Sequence, residues 1–327
     1  MEDNLHFRSF FCYNSGMFTG IVGHKRAVGL LENDLKSGSI SHAYIFSGPS
    51  NVGKSTVALR FARNAICGCG DCNECTLAEK GSQPDILIFG GSESLKIEES
   101  KEIQKFLGLK PHQAKRKIVI ISDVERMTRE AANSLLKILE EPSGNSVIIL
   151  TAKNKQNILE TIVSRCRAVN FTLVSDSDIL EWSKSKDIDF SANDCFFFGK
   201  PGLFMGNTSK EEPEESRQEI IDMLPTFFKK GNYKKKFDLA KGIADSPNII
   251  FMLEIFSFIF RDMMLFNSGF KSAGNIKYMD AEKYSRFYTV KKLEEILVMI
   301  EKIKESITKG INTKVFLEVL ILKMEGI

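Results

Sequence analysis

The sequence predicts an α/β domain, a parallel sheet between two layers of helices, followed by helices alone. Three observations lead there. Short apolar runs of strand type alternate with longer stretches of helical periodicity as far as about residue 172. One strand-to-helix junction carries Gly48-Pro49-Ser50-Asn51-Val52-Gly53-Lys54-Ser55-Thr56, which fits the phosphate-loop pattern G-x-x-x-x-G-K-[ST]. Past Leu173 the apolar periodicity is helical to the end.

Composition sets the outer bounds. A chain of 327 residues, 43% hydrophobic and 27% charged, has the make-up of a globular protein with room for two or three domains. Its net charge of +3 is too small for an overall basic field, so any nucleic-acid contact must come from a local patch. No apolar run approaches the roughly 20 residues that span a bilayer, so no membrane partner is expected. Met1 to Met17 mixes acidic, aromatic and polar residues, unlike a secretory signal, and reads as a frayed extension. Four of the seven cysteines fall between Cys67 and Cys75, which suits a reducing, cytoplasmic compartment better than a disulfide framework.

From His24 to Lys36, Ala27, Val28, Leu30, Leu31 and Leu35 mark one helical face, with Gly38 as its stop. Ala43 to Phe46 reads as a buried strand, and Val57, Ala58, Phe61, Ala62 and Ala65 recur at helical spacing after the loop. A strand, a glycine-rich turn and a helix start aim several N–H groups at one point, where the helix dipole also favours an anion. Gly48, Asn51, Val52, Gly53, Lys54, Ser55 and Thr56 are therefore the expected nucleotide-binding set. In it Lys54 reaches the β- and γ-phosphates and the Ser55 hydroxyl ligates Mg²⁺. The plainer alternative is a chance match in a Gly/Ser-rich loop, which the flanking strand and helix argue against.

Ile86 to Phe89 reads as a second buried strand, followed by an amphipathic stretch from Ile97 to Leu107. Lys117 to Asp123 reads as a strand ending in a carboxylate, where a doubly wound sheet places its ligands, so Asp123 is the expected Mg²⁺ partner. Thr128 caps a helix whose Ala131, Leu135, Leu136, Ile138 and Leu139 face inward, stopped by Pro142. Val147 to Leu150 and Ala168 to Phe171 complete five strands.

Cys67, Cys69, Cys72 and Cys75 offer four thiolates within nine residues, a set suited to a structural zinc ion. The single residue between Cys67 and Cys69 is tighter than the usual spacing. A reduced cysteine loop and an iron–sulfur cluster stay open as alternatives.

Beyond Leu173, Ser175 caps a helix carrying Ile179, Leu180 and Trp182, and a further helical stretch runs toward Phe198. Trp182 and Phe196 to Phe198 read as core. Lys210 to Glu215 reads as a polar linker, and Ile249 to Leu265 and Leu293 to Ile307 as long helices. Lys229, Lys230 and Lys234 to Lys236 read as a solvated helix junction more than as a phosphate contact, since no aromatics interleave with them.

Several landmarks stand together in order. They are Gly20-Ile21-Val22-Gly23-His24, His42-Ala43-Tyr44, the phosphate loop, Cys69-Gly70-x-Cys72-x-x-Cys75, and Pro84-Asp85. Ala131-Ala132-Asn133-Ser134-Leu135-Leu136-Lys137-Ile138-Leu139-Glu140-Glu141-Pro142 and Ser164-Arg165-Cys166 close the series. In these the chain resembles the AAA+ clamp-loader subunits of bacterial DNA polymerase III, from about Phe18 to Gly202, with only the architecture matching beyond. The resemblance implies an N-terminal extension over 1–17, an AAA+ domain over 18–172 with a zinc module at 67–75, a small helical lid over 173–209 and an all-α collar over 210–327. It implies ATP with Mg²⁺ and Zn²⁺ as cofactors. It implies a hetero-pentameric ring with delta and tau/gamma subunits that opens the sliding clamp and closes it around primer-template DNA. Arg165 would complete a neighbour's ATP site as an arginine finger, and Ser100 and Lys101 stand where relatives contact phosphate.

Two departures decide which kind of member is implied. Motor subunits follow the Mg²⁺-binding Asp with a Glu, where this chain has Val124 and only then Glu125. Motor subunits also present a lid arginine, where this chain has Gly202 in Gly199-Lys200-Pro201-Gly202. The resemblance therefore implies the stationary, delta-prime type with weak ATP turnover, the alternative being a tau/gamma-type motor.

Overall fold

A computed structural model describes residues 16–67, 69, 72–90, 95–112, 114–185, 199–202, 222–246, 249–270, 284–308 and 311–326. Residues up to 185 together with 199–202 form one compact unit, and those from 222 onward form another. The extension before residue 16, the Phe196 to Phe198 run and the Lys210 to Glu215 linker lie outside the described residues.

The first unit is built on five parallel strands: β1 (Ala43–Ser47), β2 (Ile86–Phe89), β3 (Lys117–Ile121), β4 (Ser146–Ala152) and β5 (Arg167–Asn170). They lie in the order β2-β3-β4-β1-β5, with Ile45 opposite Leu150 on one side and Ala168 on the other. Alternation along the strands sorts their side chains into two cores. Tyr44, Phe46, Ile118, Ile120, Val147 and Ile149 face α1 (Lys25–Ser37) and α2 (Lys54–Ile66) through Leu31, Val57, Phe61 and Ala62. Ala43, Ile45, Val119, Ile121, Ile148 and Leu150 face the other way, against Ile103 and Leu107 of one helix and Leu135, Ile138 and Leu139 of another. The expected three-layer α/β fold is what forms.

Local signals set most of the ends. Gly38 closes α1 in the left-handed region at φ 71°, its N–H bonded to the Leu35 carbonyl. A short helix α3 (Asn73–Glu79), which no apolar periodicity announces, follows the cysteine loop. Next come α4 (Ile97–Gly108) and α5 (Arg129–Glu140), the latter capped by Thr128, whose side chain accepts from the Ala131 N–H. A single-turn α6 (Glu160–Val163) precedes β5. Ser175 Oγ accepts from the Asp178 N–H and so caps α7 (Asp176–Ser185).

Two of the expected strands need correction. The strand expected through Asp123 ends at Ile121, and Asp123 stands two residues beyond it with φ 51°. β2 is not fully buried. It is the sheet's edge, with Ile88 more than half exposed, because only β3 pairs with it.

Pro84-Asp85 gains a physical account here. The Asp85 carboxylate is fully buried, accepts the N–H groups of His112 at 2.9 Å and Ala114 at 3.1 Å, and pairs with Lys117 Nζ at 3.4 Å. It pins the α4–β3 connection to the start of β2 and neutralises a lysine that is itself buried.

The second unit is helical throughout its described residues. Helical residues 222–228 lead to α8 (Tyr233–Ala244), α9 (Ile249–Asn267), α10 (Val290–Thr308) and α11 (Lys314–Lys323). Phe227, Phe256, Phe260, Leu293, Ile300 and Leu320 anchor its core. The lysine cluster is not wholly solvated as expected: Lys236 is fully buried, its Nζ bonded to the Glu325 carboxylate and the Lys229 carbonyl. Among the described residues, no helix is long and apolar enough to cross a membrane.

Candidate functional site

The phosphate loop leaves the C-terminal end of β1, which lies between β4 and β5, and enters α2. In an open parallel sheet that is where ligands bind. Gly48 must be glycine, because a Cβ there would stand 2.2 Å from the Phe171 carbonyl oxygen. Asn51 at φ 61° and Gly53 at φ 102° take the left-handed conformations that turn the chain into the helix. Asn51 thus does the conformational work of a glycine. Val57 N–H is bonded to the Gly53 carbonyl, and no side chain caps the helix, so the earlier N–H groups of Lys54, Ser55 and Thr56 are presented at its start. A Cβ at Gly53 would meet nothing within 4 Å, so the approach to the helix start is open. This cradle fits a phosphate.

Two carbonyls of the loop are tied from outside. His24 Nε2 is bonded to the Val52 carbonyl at 2.7 Å, and the Gly202 N–H donates to the Asn51 carbonyl at 2.8 Å. Burial holds the His24 pKa below its ordinary value, and its ring packs edge-on against Phe171. A Cβ on Gly202 would lie 2.8 Å from the Asn51 carbonyl oxygen.

Lys54 Nζ donates to the Gly48 and Pro49 carbonyls at 2.7 Å each. Burial lowers its pKa from 10.5 to about 8, against the pull of Asp123 and Glu125, while Lys153 pushes the same way as burial. Asp123 is held in place through its own N–H, which donates to Thr151 Oγ1 on β4 at 3.2 Å. The next residue, Val124, packs into the core with Ile121, Ala131 and Leu135. Glu125 follows in a 3-10 turn (Val124–Arg126), and its Oε1 accepts the Lys153 N–H at 3.0 Å. Asp123, Glu125 and Lys54 thus converge, with Ser55 exposed at the helix start. Sequence reasoning missed Thr151 and left the orientation of Glu125 open, since both act across gaps of 28 residues.

The cysteines also converge. Cys67 ends α2 and Cys72 begins α3, and the four Sγ atoms of Cys67, Cys69, Cys72 and Cys75 lie within 4.8 Å of one another. Sulfur pairs stand at 3.3 Å (Cys67–Cys69), 3.4 Å (Cys67–Cys72) and 3.9 Å (Cys69–Cys75). Thiolates about 2.3 Å from one zinc ion are about 3.8 Å apart, so the donor set fits the metal despite the short first spacing.

Arg165 stands apart from its own loop. Its guanidinium is bonded to Glu140 at 2.7 Å and to the Thr161 carbonyl at 2.9 Å, on a partly exposed edge. Cys166 beside it is half-buried, and burial pushes its thiol up to about 12, so it is inert packing. Ser100, a candidate for phosphate contact by resemblance alone, is buried and hydrogen-bonded to the Ala131 carbonyl, whereas Lys101 is exposed.

A phosphate loop at the end of an inner strand of a five-stranded parallel sheet, with an acidic turn after β3, defines an α/β P-loop domain. Residues 23–175 match the family model described as "DNA polymerase III, delta subunit". In this stretch the chain is similar to the clamp-loader subunits of DNA polymerase III. Relatives include the delta' subunit of Bacillus subtilis, 35% identical over 153 residues, or 45% of this chain and 46% of that protein. The gamma subunit of Buchnera aphidicola subsp. Acyrthosiphon pisum is 32% identical over 174 residues, or 51% of this chain and 48% of that one. The chain thus spans about half the length of these two relatives. Among solved structures, a gamma subunit-related protein of DNA polymerase III from Thermotoga maritima is 18% identical with a TM-score of 0.47, covering 90% of this chain and 98% of its own.

Proposed function

We propose that this chain is a stationary, delta-prime-type clamp-loader subunit, which binds Mg²⁺·ATP, turns it over slowly, and lends Arg165 to a neighbour's ATP site. One observation carries the proposal: the side chain that follows Asp123 is Val124, packed into the core, so no carboxylate directly follows Asp123 to orient an attacking water. Gly202 supports it, because that position offers backbone and no cationic side chain to the nucleotide.

Gly48 to Thr56 would hold the phosphates, Ser55 and Asp123 the Mg²⁺. The cation supplies charge neutralisation at the phosphates. Lys54 leaves two loop carbonyls for the phosphates, and the N–H groups at the start of α2 orient them. Cys67, Cys69, Cys72 and Cys75 would hold a structural Zn²⁺. The partners on this proposal are delta and tau/gamma subunits in a five-membered ring, the sliding clamp and primer-template DNA, in the cytoplasm. Residues 18–172 would be the AAA+ domain, 173–209 the lid and 210–327 the collar.

Arg165 suits a role in trans because its guanidinium stays charged, makes forked bonds to phosphate and bonds elsewhere than its own loop. The competing identity is a tau/gamma motor, favoured by the gamma and tau relatives among the matches. Reconstituted loader in which only this subunit carries Arg165→Ala tests the choice. DNA- and clamp-stimulated hydrolysis should fall by the share of one site while the ring still assembles. Unchanged hydrolysis and clamp loading would remove Arg165 from the mechanism. Turnover by the isolated chain near the ~1 s⁻¹ at the low end of typical enzymes would favour the motor.

A further inference from the structure

We propose that Glu125 is a second carboxylate, beside Asp123, that holds the divalent cation of the bound nucleotide; this rests on the phosphate-loop assignment above. The turn after β3 separates the two neighbouring side chains. Val124 goes into the core, and Glu125 reaches the end of β4, where its Oε1 takes the Lys153 N–H. Its other oxygen, Oε2, is buried and has no hydrogen-bond partner among the described residues. A buried carboxylate oxygen left unpaired carries its full desolvation cost, so its surroundings call for a donor or a cation.

The nearby lysine does not supply one. Lys54 Nζ is bonded to the Gly48 and Pro49 carbonyls, although it feels the charge of both Asp123 and Glu125. Phosphates at the start of α2 would bring more negative charge to the same place. Two carboxylates facing polyphosphate repel it unless a cation lies among them, and a divalent ion with oxygen ligands meets that need. The backbone is set for this arrangement: Asp123 adopts φ 51°, anchored by Thr151 Oγ1, a left-handed conformation of the kind retained at functional turns.

The test uses the full chain and Mn²⁺ as the probe, its free concentration read by electron paramagnetic resonance in the presence of saturating ADP. Glu125→Gln keeps an oxygen for the Lys153 N–H and removes the charge. It should weaken Mn²⁺ binding by about 10–100-fold, the scale on which groups supporting a metal site act. Asp123→Asn should do likewise. Affinity for a fluorescent ADP analogue in EDTA should not fall in Glu125→Gln, and the melting temperature should not drop, since an unpaired buried charge is being removed. Unchanged Mn²⁺ affinity in Glu125→Gln, with Asp123→Asn impaired, would overturn the proposal. So would a lowered melting temperature with intact Mn²⁺ binding, which marks Glu125 as a strut for β4. Failure of the wild-type chain to bind ADP at all would instead sink the phosphate-loop assignment, and this proposal with it.

Discussion

Nucleotide binding should weaken sharply between pH 7 and pH 9, and Lys54 is the reason. Burial lowers its pKa from 10.5 to about 8, with Asp123 and Glu125 pulling the other way. Phosphate favours the charged ammonium, so above pH 8 binding must first restore a proton. The affinity is full below the free-state pKa and is lost as pH rises through it. About nine-tenths of Lys54 is charged at pH 7 and about one-tenth at pH 9, so the apparent Kd rises about tenfold, or ~1.4 kcal/mol. The assay is titration with a fluorescent ADP analogue, and the control is Lys54→Arg, whose guanidinium stays charged throughout.

Unfolding cannot mimic this result, because linkage gives stability the opposite sign. The charged form of Lys54 is disfavoured in the folded state, so the α/β unit gains stability as pH climbs from about 8 toward 10.5. A Kd that is flat from pH 7 to 9, or one that rises equally in Lys54→Arg, would refute the reasoning.

The cysteine cluster should carry about one zinc ion per chain by elemental analysis, lost in Cys72→Ser together with thermal stability; metal-free protein of unchanged stability would exclude it. Asp85→Ala should destabilise the α/β unit by about 3–5 kcal/mol, because it leaves the Lys117 charge buried and unpaired. Trp182, the single tryptophan, lies in that unit and reports on it by fluorescence in urea. Asp85→Ala with Lys117→Met should recover part of the loss.

What could be read from the sequence was what is local along the chain. The phosphate loop is nine contiguous residues whose backbone demands are written in their types, down to Asn51 in a left-handed conformation. The caps Thr128, Ser175 and Gly38 act within a few residues of themselves. What escaped acts at a distance. Glu140 lies 25 positions from the arginine it holds, and Glu325 lies 89 from Lys236, so nothing in a basic run says that one of its lysines is buried. The edge position of β2 escaped for another reason: its apolar run is like that of a central strand, and only the sheet order exposes Ile88. Helix α3 is too short for a period to show.

The Gly202 contact bears on which side chains this position could acquire over evolutionary time. Its N–H is bonded to the Asn51 carbonyl, and any Cβ would lie 2.8 Å from that oxygen. An arginine codon at this position would not deliver a guanidinium to the nucleotide; it would push the phosphate loop and the 199–202 segment apart first. An arginine at this position therefore needs a backbone rearrangement before its side chain has any use. Geometry thus closes the single-substitution route to an arginine at position 202.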